Sequence, residues 1–228
     1  NINFKKEIEK KYLNVSCILA GENLGYAKGN NLGLSQVVSQ YVLILNPDAM
    51  LEKNTISNFL VTANKIKDFS IIGPAKQDEF SKNDDNKEKS DLFEVDYLKG
   101  FAMFFNLDEF KDIGFFDENF FIYLEEIDLC KRIKNKNRKI YLDKSIIIHH
   151  LGGSSHNQSI NEEMELSRNW HWMWSTFYFN KKHYGYLNSL IKISGKFLSA
   201  IIKIIFYTLV FNNKKKKIYF QRLSGLFN

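Results

Sequence analysis

An apolar run that stops abruptly at an acidic residue constrains the fold of this chain more than any other feature. Residues 41–51 read YVLILNPDAML, so four apolar residues are followed by Asn, Pro and then Asp48. A continuous apolar run bounded in this way predicts a strand buried on both faces, in the middle of an α/β sheet. Asp48 then follows the carboxyl end of the strand, where such sheets bind ligands, and can hold a hard cation against a phosphate. The alternative is that Asp48 only caps a helix beginning near Glu52.

The basic residues are concentrated at the carboxyl end of the chain. Residues 166–228 contain 11 of the 32 Lys and Arg and none of the 26 Asp and Glu, so residues 1–165 are net acidic. A basic segment rich in Phe, Ile, Tyr and Trp favours an anionic membrane surface over a nucleic acid, for which no motif is present. We therefore divide the chain into an α/β region, 1–160, and a helical, amphipathic, membrane-associating region, 161–228.

The remaining pattern is that of an α/β domain with reduced cysteines. Cys17 and Cys130 are distant in sequence and lie in apolar or helical patterns, which is typical of buried thiols in a cytosolic protein. Residues 21–36 carry four glycines before a helix; this segment can present N–H groups to a phosphate or simply form turns. We expect helices at 1–11 and 55–67, strands at 15–20, 69–73, 101–105 and 139–148, and a polar surface insertion at 76–90.

A second chemical cluster occupies residues 114–133, GFFDENFFIYLEEIDLCKRI. Aromatic residues precede Glu125, Glu126 and Asp128, which come where a helix begins. Carboxylates crowded beside aromatic surface have raised pKa values, which suits a general base. They can equally be dipole partners in a first helical turn, and Asp128 can pair with Arg132 four residues later.

Two histidines end the last predicted strand. His149 and His150 precede a glycine pair and can complete a metal site with Asp48, although a structural role is the alternative.

Taken together, five ordered blocks resemble family 2 inverting glycosyltransferases, in the branch similar to rhamnosyltransferases of bacterial surface polysaccharides. The blocks are NLGYAKGNNLG, LILNPDAML, YLKGFAMFF, GFFDENFFIYLEEIDLCKRI and IIIHHLGGSS. The resemblance implies an α/β fold of GT-A type: a three-layer α/β/α arrangement with a mixed, mostly parallel sheet, N-terminally incomplete, followed by a helical amphipathic region. It also implies a divalent cation, Mg²⁺ or Mn²⁺, a nucleotide-sugar donor similar to dTDP-rhamnose, and a saccharide or lipid-linked saccharide acceptor.

The resemblance also assigns roles to single residues. Asp48 matches the last acid of the DxD motif and is the expected metal ligand, joined by His150 or, less well by spacing, His149. Glu126 matches the second acid of the catalytic pair and is the expected base, although the neighbouring Glu125 is not excluded. The remaining candidates are Asp128 near the base and, for binding the donor or acceptor, Asn31, Asn46, Gly100 and Asp117.

The chain departs from the family pattern at its start, because it enters the pattern after the strands that hold the nucleotide base. About 50–80 residues, or two βα units, precede this point in the family. The alternative function is therefore a truncated, catalytically inactive, membrane-associated fragment. A nucleotidyltransferase on a similar sheet would need a basic nucleotide loop near its start, and none is present.

An apolar segment at 188–211 predicts attachment to a membrane surface. Three lysines interrupt it, so no charge-free run reaches the roughly 18 residues of a spanning helix. At about 100° per residue the lysines form one narrow stripe, and apolar residues fill the rest of the helix. With Lys214 to Lys217 following, we expect a helix in the membrane interface, and hence a cytoplasmic protein peripheral on the inner face of the cell membrane. The alternative is that the apolar surface packs on the catalytic region or on a second subunit.

Overall fold

A mixed six-stranded sheet lies at the centre of the computed structural model, which describes residues 1–76, 90–150 and 161–227. The elements in chain order are α1 (Ile2–Lys11), α2 (Gly25–Leu34), β1 (Tyr41–Leu45), β2 (Ala49–Leu51), α3 (Thr55–Ile66), β3 (Ile71–Lys76), β4 (Leu92–Glu94), β5 (Ala102–Asn106), α4 (Glu125–Asn135), β6 (Ile140–His150), α5 (Asn161–Tyr184), α6 (Tyr186–Leu209) and α7 (Asn213–Ser224).

The sheet is mixed, as expected, but the expectation of mostly parallel pairing is wrong for the described strands. Their order is β1-β5-β3-β6-β2, with β4 also paired to β6, and only the β3–β6 pair is parallel. The reason is the position of β5. The β1–α3–β3 unit leaves β1 and β3 pointing the same way with a gap between them, and β5 fills that gap in the opposite direction.

Strand β1 lies at one end of this strand order rather than in its middle, which corrects the expectation from its apolar run. The predicted packing on both faces is confirmed, because alternate residues of the strand join two separate clusters on the two faces of the sheet. Val42 and Ile44 join one cluster, and Tyr41, Leu43 and Leu45 join the other. The fully buried strand is β5, whose five residues are all shielded from solvent.

Helices cover both faces of the sheet, which gives the three layers that were predicted. On one face α3 places Phe59 and Ala63 against Phe104 and Ile148. On the other face α4 places Leu129 and Ile133 against the sheet, together with aromatic residues of the 114–124 loop.

The helices predicted at 1–11 and 55–67 are confirmed within a residue at each end. The predicted strand at 15–20 is absent, because its backbone bonds to α1 instead: the Cys17 N–H donates to the Glu9 carboxylate at 2.8 Å, and Lys5 donates to the Cys17 carbonyl. Cys17 and Cys130 are free thiols, but only Cys130 is fully buried. The predicted surface insertion, in residues 77–89, and the Gly-rich segment after His150 lie outside the described residues.

The three C-terminal helices pack together and onto the α/β core. Helix α5 joins the core through Ser175, whose hydroxyl donates to the Ile122 carbonyl at 2.9 Å. The end of α7 approaches α5 so closely that a Cβ at Gly225 would collide with the Trp170 carbonyl, so this contact requires glycine. Among the described helices, none has the combination of length and apolarity that a membrane span needs.

Candidate active site

Asp48 and His150 meet at the carboxyl end of β1. The short strand β2 pairs Ala49 with His150, and this pairing brings the imidazole Nε2 to 3.1 Å from the Asp48 Oδ1. Asn46 lies beside them, with its amide nitrogen 3.5 Å from the same Nε2. The N-cap of α3 is Asn54, so Asp48 is not a helix cap.

His149 points to the opposite face of the sheet from His150. Its Nε2 lies 3.2 Å from the Glu52 carboxylate, because successive residues of a strand point to opposite faces. The structure therefore pairs His150, and not His149, with Asp48.

These residues have the chemistry of a divalent-cation site that a substrate would complete. In the described parts of the chain, no group of three or more His, Cys, Asp and Glu side chains could hold a metal unaided. One carboxylate and one imidazole nevertheless suit Mg²⁺ or Mn²⁺, which proteins commonly bind through one or two carboxylates together with substrate phosphates. Asp48 and His150 fit a cation shared with a diphosphate.

Phe101 and Gly100 connect this pair to the second acidic cluster. The Phe101 ring stacks on the His150 ring at a centroid distance of 4.9 Å, and its carbonyl accepts from the Asn46 N–H at 2.8 Å. The next residue towards the amino end, Gly100, accepts a hydrogen bond from the Tyr26 hydroxyl. A Cβ at Gly100 would lie 3.2 Å from that hydroxyl oxygen and 3.5 Å from the Glu126 Cβ, so a larger residue would crowd both neighbours.

The acid pair begins α4 after two residues with left-handed backbone. Tyr123 and Leu124 have φ values of 74° and 67°, a conformation that non-glycine residues adopt at a cost. Glu125 is only 5% exposed, and one carboxylate oxygen each of Glu125 and Glu126 is buried without a partner among the described residues. Buried, unpartnered oxygens of this kind are suited to a ligand hydroxyl.

Both acids bind a proton more tightly than a carboxyl group in water does. Burial, and then the neighbouring Glu126 charge, raise the pKa of Glu125 to about 8. Burial also raises the pKa of Glu126, but backbone N–H groups at the start of α4 oppose this shift. The hydroxyl of Tyr26 is buried next to both acids, and its pKa is raised for the same reasons.

Asp117 and Asn31 hold the 114–124 loop in place. Asp117 accepts hydrogen bonds from Tyr178 at 2.9 Å and Lys182 at 2.8 Å, both on α5. Burial alone would raise the pKa of Asp117, but these hydrogen bonds and those from Asn119 lower it to about 2. Asn31 bonds to both the N–H and the carbonyl of Phe116, and its amide nitrogen also reaches Glu118, so its side chain is already used.

Asp128 is buried in a cluster of cations, away from solvent. Its side chain is 0% exposed and accepts from Arg132 at 2.9 Å, Lys182 at 2.7 Å and His183 at 2.8 Å. An acid that is saturated with partners in this way holds α4 against α5, and we leave it out of the reacting groups.

Three residues of this site were not foreseen: Tyr26, Phe101 and Lys182. Tyr26 and Phe101 belong to blocks of the family resemblance, but nothing in the sequence around them indicates which residues they contact. Lys182 and His183 belong to the sequence NKKHYG, in a region without any acid. That imbalance could have indicated that acids from elsewhere in the chain would pair with them.

The chain is similar to known glycosyltransferases. The family model described as "Glycosyl transferase family 2" matches residues 4–130. Over 144 residues the chain is 31% identical to the low-salt glycan biosynthesis hexosyltransferase of Haloferax volcanii, with 53% of this chain and 47% of that protein covered. It is 22% identical over 190 residues to the N-acetylglucosaminyl-diphospho-decaprenol L-rhamnosyltransferase of Mycobacterium tuberculosis, with 64% of this chain and 62% of that protein covered.

A solved structure supports the fold. The mannosyltransferase of Pyrobaculum calidifontis, in complex with GDP-Man and Mn²⁺, matches 97% of this chain and 72% of its own length, with a TM-score of 0.56 and 10% identity. The chain spans less than two thirds of the length of either curated relative.

Proposed function

Because the chain belongs to glycosyl transferase family 2, we propose that it transfers a sugar from a nucleotide-diphosphate sugar to an acceptor hydroxyl, with inversion at the transferred carbon. One observation carries the proposal. The Asp48–His150 pair and the Glu125–Glu126 pair are linked by two consecutive residues that directly precede β5. Phe101 stacks on His150, and Gly100 lies against Glu126. A cation at the first pair and a base at the second are the two charges that an inverting transfer requires.

Glu126 is the general base. With a pKa of about 8, Glu125 keeps its proton at neutral pH and is the weaker candidate. Burial raises the pKa of Glu126 as well, but backbone hydrogen bonds at the start of α4 favour its charged form. One of its carboxylate oxygens is buried without a partner among the described residues and is available to an acceptor hydroxyl. Glu126 also lies against Gly100, as does Tyr26 of α2. The next residue, Phe101, stacks on His150 of the cation site, so an acceptor hydroxyl held by Glu126 can approach the donor sugar.

Asp48 and His150 hold the divalent cation, with the donor diphosphate supplying further oxygens. When bound, the cation would neutralise the charge that develops on the departing diphosphate. His150 is held in place by its stacking on Phe101, and the adjacent Asn46 can hydrogen-bond to a phosphate oxygen.

The donor is similar to dTDP-rhamnose and the acceptor is a lipid-linked saccharide, in a pathway that builds a surface polysaccharide. The support is the relative whose name includes a rhamnosyl transfer and a diphospho-decaprenol acceptor. The exposed Trp172, which meets the Tyr123 ring edge-on, supports a sugar acceptor, because an aromatic face offers an apolar surface to a sugar ring.

The chain attaches to the inner face of the cell membrane through α6. Six apolar side chains lie within about 60° of one another on this helix at about 100° per residue. All six are exposed, with Ile191 at 71% and Leu209 at 72%; the others are Leu187, Leu198, Ile202 and Ile205. Helices α5 and α7 pack on the opposite side of α6, around the buried Ile193 and Ala200, so the apolar stripe is free to enter a membrane interface.

Transfer assays with matched variants test the proposed function. The full chain is incubated with labelled nucleotide sugars and a polyprenyl-diphosphate saccharide, and donor binding is measured separately by calorimetry. We expect Glu126→Gln to lower kcat by about 10²- to 10⁴-fold with unchanged donor affinity, because only the proton acceptor is lost. Glu125→Gln is the control and should lower kcat much less. An equal loss in both variants would refute the base assignment, and no transfer by the wild-type chain would favour the inactive fragment.

A further inference from the structure

A cavity of about 250 Å³ lies between α5, α6 and α7, outside the site described above. Its walls include the rings of Trp172 and Tyr219, the polar residue Ser199 and two cationic residues, Lys196 and Arg222. It is smaller than the pockets of roughly 300–1,000 Å³ that hold drug-sized molecules, so it suits a compact head group.

The two cations of the cavity have no acidic partner among the described residues. Lys196 lies over an aromatic ring, and Arg222 donates its Nε–H to the neutral Asn169 side chain at 2.6 Å. No Asp or Glu follows Glu165 in the sequence, and that carboxylate pairs with Lys214, 3.5 Å away. Two cations facing one small cavity repel each other, and an anion between them removes that repulsion.

Gly195 keeps the cavity open. A Cβ at this position would meet no heavy atom within 4 Å, so helix packing does not require glycine here. Glycine inside a helix is destabilising relative to alanine. Its presence in the middle of α6, beside Lys196, leaves free volume where a side chain would otherwise project.

The cavity lies between the acid pair and the apolar stripe of α6. Its wall residue Trp172 contacts the Tyr123 ring edge-on at 5.5 Å, and Tyr123 is two residues from Glu125. On the other side Gly195 borders the exposed apolar residues Ile191 and Leu198, which lie next to it on the helix surface. A molecule with a lipid tail, an anionic centre and a sugar would place the tail on the apolar stripe, the anionic centre in the cavity and the sugar near the acid pair.

We propose that this cavity binds the diphosphate of a lipid-linked sugar acceptor, with Lys196 and Arg222 as its cationic ligands. The proposal rests on the proposed function, because it assigns the acceptor of the same reaction. Arginine and lysine form charge-assisted hydrogen bonds with phosphate oxygens. The lipid chain then lies along α6 and the sugar extends towards Glu126.

Vesicle binding by the full chain tests the site without any donor or transfer. Phosphatidylcholine vesicles carrying a few mole per cent of a polyprenyl diphosphate are compared with phosphatidylcholine vesicles matched in surface charge by phosphatidylglycerol. We expect the wild-type chain to prefer the diphosphate vesicles. Lys196→Gln/Arg222→Gln should weaken binding to them by at least about tenfold and remove the preference, since two charge-assisted hydrogen bonds are lost. Lys181→Gln/Lys215→Gln, with the same loss of charge outside the cavity, should keep the preference.

A second variant keeps the charge and fills the space. Gly195→Leu should also remove the preference for diphosphate vesicles, while its thermal unfolding stays at or above the wild-type temperature, because glycine is replaced by a better helix former. Equal binding of the wild-type chain to both vesicle types would overturn the proposal. It would show that Lys196 and Arg222 attract anionic lipids in general and do not recognise a diphosphate. Retention of the preference in Lys196→Gln/Arg222→Gln would also overturn it. Absence of sugar transfer with an intact preference would refute the proposed function and leave the diphosphate site standing.

Discussion

Replacing Glu125 with glutamine should change how the stability of the protein depends on pH. Glu125 is buried beside Glu126, and its pKa of about 8 lies well above the ordinary value of 4.5. Between these two values the folded chain retains a proton that the unfolded chain has released. The free energy of unfolding that this group contributes is therefore fully present below about pH 4.5 and is lost as the pH rises towards 8.

The magnitude follows from the same two pKa values. One pKa unit corresponds to about 1.4 kcal/mol, so the interval from 4.5 to about 8 corresponds to at most about 5 kcal/mol. The glutamine side chain cannot ionise and has nearly the same shape as glutamate, so the variant lacks this loss. Relative to the wild type, Glu125→Gln should gain about 1.4 kcal/mol of stability for each pH unit between 5 and 7.5.

Urea unfolding at several pH values measures this difference. Wild type and Glu125→Gln are unfolded in parallel at half-unit steps from pH 5 to 8, with tryptophan fluorescence and circular dichroism as two probes of the same transition. The subtraction of the two curves cancels the shared titrating groups that do not contact Glu125. A difference that stays flat across this range would refute the conclusion that Glu125 is protonated in the folded protein at neutral pH.

Three further changes test other parts of the structure. Asp48→Asn should abolish the Mn²⁺-dependent part of donor binding in calorimetry, since the amide cannot replace the anionic ligand, and equal affinity with and without a chelator in the wild type would contradict this. Asp128→Asn should lower the free energy of unfolding at pH 7 by about 3 kcal/mol, because buried cations lose their partner. Asp108→Asn, which removes an acid from an exposed ion pair, should have almost no effect in the same urea experiment. Ile202→Glu should weaken flotation with anionic vesicles far more than Ser167→Glu on the neighbouring α5, and similar effects of the two would count against the α6 stripe.

The acidic sites were predictable from the sequence because each follows a local signal. An apolar run ending at Asp48, and an aromatic segment ending at the acid pair, mark strand and helix ends that a single window of sequence defines. The family resemblance favoured His150 over His149 by spacing, but the contact of His150 with Asp48 depends on the register between β2 and β6. That register is a pairing of distant residues and has no local signature.

The strand directions and the role of Asp128 were not predictable for the same reason. Insertion of β5 between β1 and β3 depends on tertiary packing, and the apolar sequence of β5 is compatible with either direction. Asp128 looks like its neighbours Glu125 and Glu126 in sequence. It differs because its carboxylate meets Lys182 and His183, which lie more than 50 residues later in the chain.

The two ion pairs of Lys182 limit where this chain can be joined to part of another protein. One ammonium group touches Asp117 on the loop and Asp128 on the acid helix, at 2.8 Å and 2.7 Å. A chimera that joins residues 1–160 to the tail of another protein would leave both carboxylates without that cation. Asp128 would lose His183 as well, and would be a buried charge with two fewer partners. The C-terminal helices and the acid helix therefore have to be kept together, and a replacement C-terminal region should be tolerated only when the crossover falls after His183.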